Sequence, residues 1–257
     1  METVTHHGRT TTYDVVGPES GPGLCLVHGS GSARTVWSSQ RQLSTKVRVA
    51  SVDLSGHGDS DDVDADPGWG TISAYASDVI AVAEETNCDL IVGCSLGGAV
   101  ALHIELYRRF HPQGLVLVGT GARMPVLDDL LVWLQEDFEQ AVEFLHGPGR
   151  LFRNPDDQRV EQSKRIMYTC GRAVTERDFR SCHMFDIRSE LGAVTVPCLA
   201  IVGAADRLTP PSYHADLAEH IPDADWLEIE DAAHLVMLEQ PTQFNDALER
   251  FIARIDD

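Results

Sequence analysis

The sequence predicts an α/β protein in which a mostly parallel β-sheet is covered by helices on both faces. Two segments, Leu90–Val92 and Leu115–Val118, are apolar throughout, as expected for strands that are buried on both sides. Runs of this kind alternate with segments in which the apolar residues have helical spacing, which is typical of strand–helix–strand units. Between Gly93 and Gly97 one such strand passes directly into a helix. These observations indicate the α/β class.

The composition is that of a globular domain with an acidic surface. The chain has 257 residues, of which 43% are hydrophobic and 23% are charged. Its formal net charge of −20 repels the phosphates of nucleic acids and the headgroups of anionic lipids. No apolar run approaches the ~20 residues of a membrane span, and residues 1–17 lack the pattern of a signal peptide. We therefore expect a cytoplasmic protein that binds neither nucleic acid nor membrane.

The six cysteines are scattered along the chain and form neither a CxxC pair nor a metal-binding pattern with histidine. We therefore expect no metal site, and most of the cysteines are interpreted as small buried hydrophobic residues. Cys94 directly precedes Ser95 and is expected to lie near the functional site, but not to be the nucleophile.

The first half of the predicted core consists of short strands and two helices. Residues 10–16 alternate weakly and end at a Gly-Pro turn, and Leu24–Val27 is a buried strand. A helix at 37–43 leads to a strand at 47–52, and a helix at 72–85 leads to the strand that precedes Ser95.

Two glycine-rich turns follow strands in this half. The turn His28-Gly29-Ser30-Gly31 leaves backbone N–H groups that can point at an anion, although an ordinary capped turn has the same composition. The second turn, Asp53–Ser60, carries His57 between two glycines. His57 is a candidate base, but the glycines are also needed to shape the turn, and we favour a structural or pocket-rim role for it.

The segment Gly93-Cys94-Ser95-Leu96-Gly97 has the G-x-S-x-G pattern of a nucleophile elbow. A strand that reverses into a helix within so few residues forces the serine into a strained backbone conformation. A side chain at Gly93 or Gly97 would collide with the neighbouring strand or helix. The pattern therefore predicts that Ser95 is exposed at the carboxyl end of its strand.

The alternation of strands and helices stops after the apolar strand at 114–118. Residues 120–192 are predicted to form a helical cap. The two parts of the core are then residues 1–119 and 193–257. Some of the methionine and aromatic side chains of the cap are expected to line an apolar pocket.

Three helices are predicted within the cap. Apolar residues recur at helical spacing through 127–145, Asn154-Pro155 opens a second helix, and Thr175 caps a third.

Two polar residues follow the last two predicted strands. The strand at 196–202 precedes Asp206, and the strand at 224–229 precedes His234; a helix at 242–255 closes the chain. A serine nucleophile needs a base, and the base needs an acceptor that orients it. Because parallel strands end at one edge of a sheet, Asp206 and His234 are expected close to Ser95. A plain salt bridge between Asp206 and Arg207 is the alternative.

Several motifs together resemble the α/β-hydrolase family over nearly the whole chain. They are His28-Gly29-Ser30-Gly31, Asp53-Leu54-Ser55-Gly56-His57-Gly58-Asp59-Ser60, Gly93-Cys94-Ser95-Leu96-Gly97-Gly98, Gly203-Ala204-Ala205-Asp206 and Ala233-His234. The resemblance implies an eight-stranded, mostly parallel sheet with an inserted helical cap. It implies Ser95 as nucleophile, His234 as base and Asp206 as orienting acid, with an oxyanion hole formed by the backbone N–H groups of Ser30 and Leu96. It is greatest for the small microbial branch of carboxylesterases, enol-lactonases, carbon–carbon bond hydrolases and haloperoxidases.

The expected function is that of a cofactor-independent serine hydrolase. Its substrate is expected to be a small, largely apolar ester, thioester or lactone. The alternatives are a carbon–carbon bond hydrolase that acts on ring-cleavage products and a non-catalytic ligand receptor. A small-molecule substrate is the expected partner, and the oligomeric state is left open.

Overall fold

An eight-stranded sheet forms the centre of the molecule in the computed structural model, which describes residues 1–154 and 156–256. The strands are β1 (Glu2–His6), β2 (Arg9–Val16), β3 (Gly23–Val27), β4 (Arg48–Val52), β5 (Leu90–Cys94), β6 (Gly114–Val118), β7 (Cys198–Gly203) and β8 (Ala224–Ile229). Their order in the sheet is β1-β2-β4-β3-β5-β6-β7-β8. The six strands from β4 to β8 in this order are parallel, and β1 and β2 are antiparallel at one edge. The predicted mostly parallel sheet is thus confirmed.

Helices connect the parallel strands and cover both faces of the sheet. In the described ranges the α-helices are α1 (Trp69–Thr86), α2 (Leu96–Tyr107), α3 (Asp128–Glu136), α4 (Phe138–Leu145), α5 (Asp157–Cys170), α6 (Arg172–Met184), α7 (Pro211–His220), α8 (Val236–Glu239) and α9 (Pro241–Asp256). Buried apolar side chains form two clusters, and each cluster combines strand residues with helix residues. Strands β3, β5 and β6 are buried along their whole length, as their apolar sequences predicted.

Among the described residues between β6 and β7, the segment for which a cap was predicted, lie the α-helices α3 to α6 and a 3₁₀ turn at Leu191–Ala193. The division of the chain into core and cap at residues 119 and 193 remains a prediction. None of the helices in the described ranges combines the length and the hydropathy that a membrane crossing requires.

Three local predictions differ from the structure. The helix predicted at 37–43 belongs to a 3₁₀ segment, Arg34–Thr45, which is kinked at Trp37. The helix predicted through 127–145 is broken at Asp137, whose side chain caps α4 by accepting a hydrogen bond from the N–H of Gln140. Thr175 does not cap α6, because that helix begins one turn earlier and the Thr175 hydroxyl donates to the carbonyl of Gly171.

The second helix predicted for the cap corresponds to α5, which begins at Asp157. Its cap is Asp156, whose carboxylate accepts a hydrogen bond from the N–H of Arg159 at 2.8 Å. The predicted start at Asn154-Pro155 falls partly outside the described residues.

Candidate active site

Ser95 lies in a strained turn between β5 and α2. Its backbone has φ 54° and ψ −115°, a conformation that costs a residue with a side chain on the order of 1–3 kcal/mol. The turn is held because the Ser95 N–H donates to the carbonyl of Val118 at 2.8 Å. A Cβ atom at Gly97 would lie 2.5 Å from the carbonyl oxygen of Val27, and one at Gly93 would collide with the backbone of Gly97. The predicted strain and the predicted need for both glycines are confirmed.

Asp206 and His234 form a buried pair at the carboxyl ends of β7 and β8. The Oδ2 atom of Asp206 lies 2.8 Å from Nδ1 of His234, and both side chains are almost fully buried. The other carboxylate oxygen, Oδ1, accepts hydrogen bonds from the N–H groups of Leu208 at 2.8 Å and Thr209 at 3.0 Å. The Thr209 hydroxyl donates to Oδ2 at 2.9 Å. The orientation of the carboxylate is therefore fixed by four contacts.

These contacts also set the charge of Asp206. Burial alone would raise the pKa of this carboxyl, but the adjacent His234 and the hydrogen bonds from Thr209 outweigh burial and lower it. Asp206 is therefore ionised, and it faces His234 rather than forming the alternative salt bridge with Arg207.

Ser95 and His234 both line a cavity of about 560 Å³. Ser30 and Gly29 line the same cavity. A Cβ atom at Gly29 would lie only 3.1 Å from the Cβ of Ser95, so the glycine allows this turn to approach the serine closely. Leu96 is the first residue of α2, and its N–H therefore has no acceptor one turn back within the helix.

Apolar side chains form much of the remaining wall of the cavity. As the sequence predicted for the cap, several of them come from α3 to α6: Leu130, Phe144, Ile166, Met167 and Phe179. Cys94 also lines the cavity. Burial raises the pKa of the Cys94 thiol, which makes it a poor nucleophile.

His57 is fully buried and is not among the residues that line the cavity. Its Nε2 atom lies 2.9 Å from Oδ2 of Asp178, which is itself fully buried in α6. The favoured structural role of His57 is therefore supported, whereas a position at the pocket rim is not. A base role would require access to the cavity.

Asp178 is the site-supporting residue that sequence analysis missed. Besides His57, it accepts hydrogen bonds from the N–H of Gly31 at 3.0 Å and from the hydroxyl of Tyr75 at 2.7 Å. Gly31 belongs to the turn that contains Ser30, so this carboxylate joins α6 to the turn beside Ser95. The available signal was helical spacing, since Asp178 lies four residues from both Val174 and Cys182, on the face of α6 that is buried.

Replacing Asp178 by alanine should strongly destabilise the protein. The change leaves a buried imidazolium, a buried N–H and a buried hydroxyl without their acceptor, and breaking a buried ion pair in this way costs about 3–5 kcal/mol. Urea unfolding followed by circular dichroism measures the loss. Asp186→Ala is the control, because Asp186 is 40% exposed in its ion pair with Arg188 and should cost no more than about 1 kcal/mol. Equal losses in the two variants would contradict the assignment.

The His57–Asp178 pair also makes the stability difference between wild type and Asp178→Ala depend on pH. Burial would lower the pKa of His57, but Asp178 raises it well above its usual value. Burial would raise the pKa of Asp178, but His57 lowers it. The histidine contribution is lost as the pH rises through its raised folded-state pKa, and the aspartate contribution is lost as the pH falls through its lowered one. The stability gap between wild type and Asp178→Ala should therefore be largest between about pH 4 and pH 6.5.

Comparison with known proteins gives a consistent result. Residues 26–247 match the model of the alpha/beta hydrolase family. The chain is 23% identical to 3-oxoadipate enol-lactonase 1 of Acinetobacter baylyi, over 96% of this chain and 95% of the relative. It is 27% identical to the pimeloyl-[acyl-carrier protein] methyl ester esterase of Aliivibrio salmonicida, over 92% of this chain and 94% of the relative. The structure of a thermophilic esterase superimposes with a TM-score of 0.87 and 30% identity, over 99% of this chain and 97% of that one.

Proposed function

This chain belongs to the alpha/beta hydrolase family, and from that premise we propose that it is a serine hydrolase that cleaves a small carboxylic ester, thioester or lactone. The observation that carries the proposal is the cavity shared by Ser95 and His234, together with the fixed contact between His234 and Asp206. Ser95 is the nucleophile, His234 is the general base and Asp206 orients the histidine.

The buried pair explains how His234 acts as a base. When its Nδ1–H donates to the ionised Asp206, the other ring nitrogen, Nε2, is left as an acceptor for the hydroxyl proton of Ser95. Ser95 then attacks the carbonyl carbon, and the imidazolium that forms is stabilised by the carboxylate 2.8 Å away. The imidazolium gives its proton to the leaving alcohol, and the same histidine later activates the water that releases the acid.

Two backbone N–H groups are proposed to hold the oxyanion. The N–H of Ser30 belongs to the glycine-rich turn after β3, which lines the same cavity as Ser95, and the N–H of Leu96 belongs to the first residue of α2, directly after Ser95. Donors that are fixed before the reaction stabilise the charge on the tetrahedral intermediate without reorganising. Asp178 supports this arrangement, because it holds the Gly31 N–H next to Ser30.

The cavity and the relatives both support a small substrate. A volume of about 560 Å³ lies within the range of small-molecule sites, ~300–1,000 Å³. The relatives are named as an enol-lactonase, a methyl ester esterase and an esterase, all of which break an acyl–oxygen bond. We therefore favour ester or lactone hydrolysis over carbon–carbon bond cleavage and over ligand reception.

The proposal is tested with p-nitrophenyl esters from acetate to decanoate, together with a p-nitrophenyl alkylphosphonate. We expect turnover of the esters, and stoichiometric, time-dependent inactivation by the phosphonate, because a tetrahedral phosphorus adduct resembles the intermediate. Peptide mass spectrometry should locate the adduct on Ser95. Heat-unfolded protein is the control for nonspecific labelling. A folded protein that turns over no ester, or that carries the label on another residue such as Ser30, would contradict the proposal.

A further inference from the structure

The charge of the cavity wall is opposite to that of the protein. Among the described residues, the Asp, Glu, Lys and Arg side chains that line the cavity are all arginines: Arg150, Arg159 and Arg207. The chain as a whole contains 40 acidic and 20 basic residues. Three charged residues drawn from it at random would all be basic only about one time in thirty, so the arginines form a local region of positive potential in an acidic protein.

Arg150 is held rigidly next to the histidine. Its guanidinium carbon lies 3.7 Å from the centre of the Phe144 ring, and its Nη1 donates to the Phe144 carbonyl at 2.8 Å. The backbone carbonyl of Arg150 accepts a hydrogen bond from the backbone N–H of His234 at 3.2 Å. A guanidinium has five N–H donors, and this contact with Phe144 uses one of them. Arg150 is thus a half-buried, oriented cation in the wall that contains His234.

Arg207 lies against the same loop. The backbone N–H of Arg207 donates to the carbonyl of Gly149 at 3.2 Å. A Cβ atom at Gly149 would lie 3.2 Å from Nε of the Arg207 side chain. Gly149 also has φ 70°, so a glycine there both allows the turn and leaves room for the arginine side chain. The carboxylate next to Arg207 in sequence, Asp206, is directed to His234.

Arg150 and Arg207 have no acidic partner within the described part of the chain. Arg159, the third arginine, forms an ion pair with Asp156 at 3.2 Å. Most other arginines near the cap are paired as well, such as Arg153 with Asp231 and Arg177 with Asp62. Arg150 presents an oriented guanidinium, and Arg207 presents an exposed one that lies against Gly149. Two cations without a carboxylate, at the wall of a cavity that is otherwise largely apolar, are complementary to an anionic ligand.

We infer that the substrate of this enzyme is an ester or lactone that carries a second, ionised acid group, which is bound by Arg150 and Arg207. This inference rests on the proposed function, because it names the substrate class of the same site. The apolar wall accommodates the hydrocarbon chain between the two groups, and the arginines bind the carboxylate. Without them, the net charge of −20 would repel such a substrate.

The test uses two esters that differ only in charge. Monomethyl suberate ends in a carboxylate, and the methyl ester of suberic acid monoamide ends in a neutral group of the same shape. We expect the wild type to prefer the carboxylate by about tenfold or more in kcat/KM, since hydrogen bonds to charged groups are the stronger ones. Arg150→Gln and Arg207→Gln should each reduce the ratio of the two kcat/KM values by about tenfold. The ratio is independent of any general loss of activity.

Arg188→Gln is the matched control, because Arg188 is exposed, is paired with Asp186 and does not line the cavity. It should leave the ratio at the wild-type value. Calorimetry with suberate as the ligand adds a readout that needs no turnover, and binding should weaken in both cavity variants. Hydrolysis of both esters with equal kcat/KM would overturn the inference while the proposed function stands. Suberate binding that depends on the arginines, without hydrolysis of any ester, would instead contradict the proposed function.

Discussion

Ser95→Ala should lower kcat for ester hydrolysis by roughly a millionfold, to the level at which only solvent attack remains. Ser95 is the hydroxyl that the structure places between the strand end and the cavity, and the only neighbouring nucleophile in the elbow, the Cys94 thiol, has a raised pKa because it is buried. His234 would have no hydroxyl to deprotonate. The measurement is turnover of p-nitrophenyl butyrate under saturating conditions, with the variant expressed and purified in the absence of wild-type enzyme.

Folding of the inactive variant must be shown separately. Ser95 has φ 54°, which alanine also tolerates poorly, whereas glycine adopts it without strain. Ser95→Gly is therefore a second inactive variant that should be at least as stable as the wild type. Circular dichroism and thermal unfolding check both variants. If either folded variant kept wild-type kcat, Ser95 would not be the nucleophile.

The strands of the fold were predictable where local sequence decides the structure. Runs such as Leu24–Val27 and Leu115–Val118 are apolar because both faces of the central strands are buried, and this pattern needs no knowledge of the partner strands. Strand β1 was not predicted, because its sequence Glu-Thr-Val-Thr-His is short, polar and mostly exposed. It exists through its antiparallel pairing with β2, which is a tertiary effect.

The site shows the same division between local and distant information. The elbow was predictable because its strand, turn and helix are contiguous and because Gly93 and Gly97 are required by collisions within that segment. The Asp178 contact was not, since His57 and Asp178 are 121 residues apart and nothing near either residue specifies the other. The arginine-rich wall was missed for the same reason, because Arg150 and Arg207 lie in separate loops that meet only in the folded chain.

Asp206→Asn should lower kcat by roughly 10⁴-fold with little change in KM. In the wild type, the N–H groups of Leu208 and Thr209 donate to Oδ1, and Oδ2 faces His234. The amide of the variant should therefore keep its oxygen on those two N–H groups and place its NH₂ group against Nδ1 of His234. A donor at this position requires Nδ1 to be the acceptor, which puts the imidazole proton on Nε2. The histidine then cannot accept the proton of Ser95.

Asp231→Asn is the matched control for this prediction, because Asp231 is the aspartate on the segment between β8 and His234. Its side chain is 70% exposed and its Oδ1 lies 2.5 Å from Nη1 of Arg153. Its φ of 60° is a conformation that asparagine adopts readily, so the substitution should not strain the turn. Steady-state kinetics should give near wild-type kcat for this variant. A loss of only a few-fold in Asp206→Asn, with a large loss in Asp231→Asn, would assign the acid to Asp231. If Asp206 is the acid that orients His234, KM should stay near the wild-type value in both variants. The reason is that Asp206 orients the base without lining the cavity that binds the substrate.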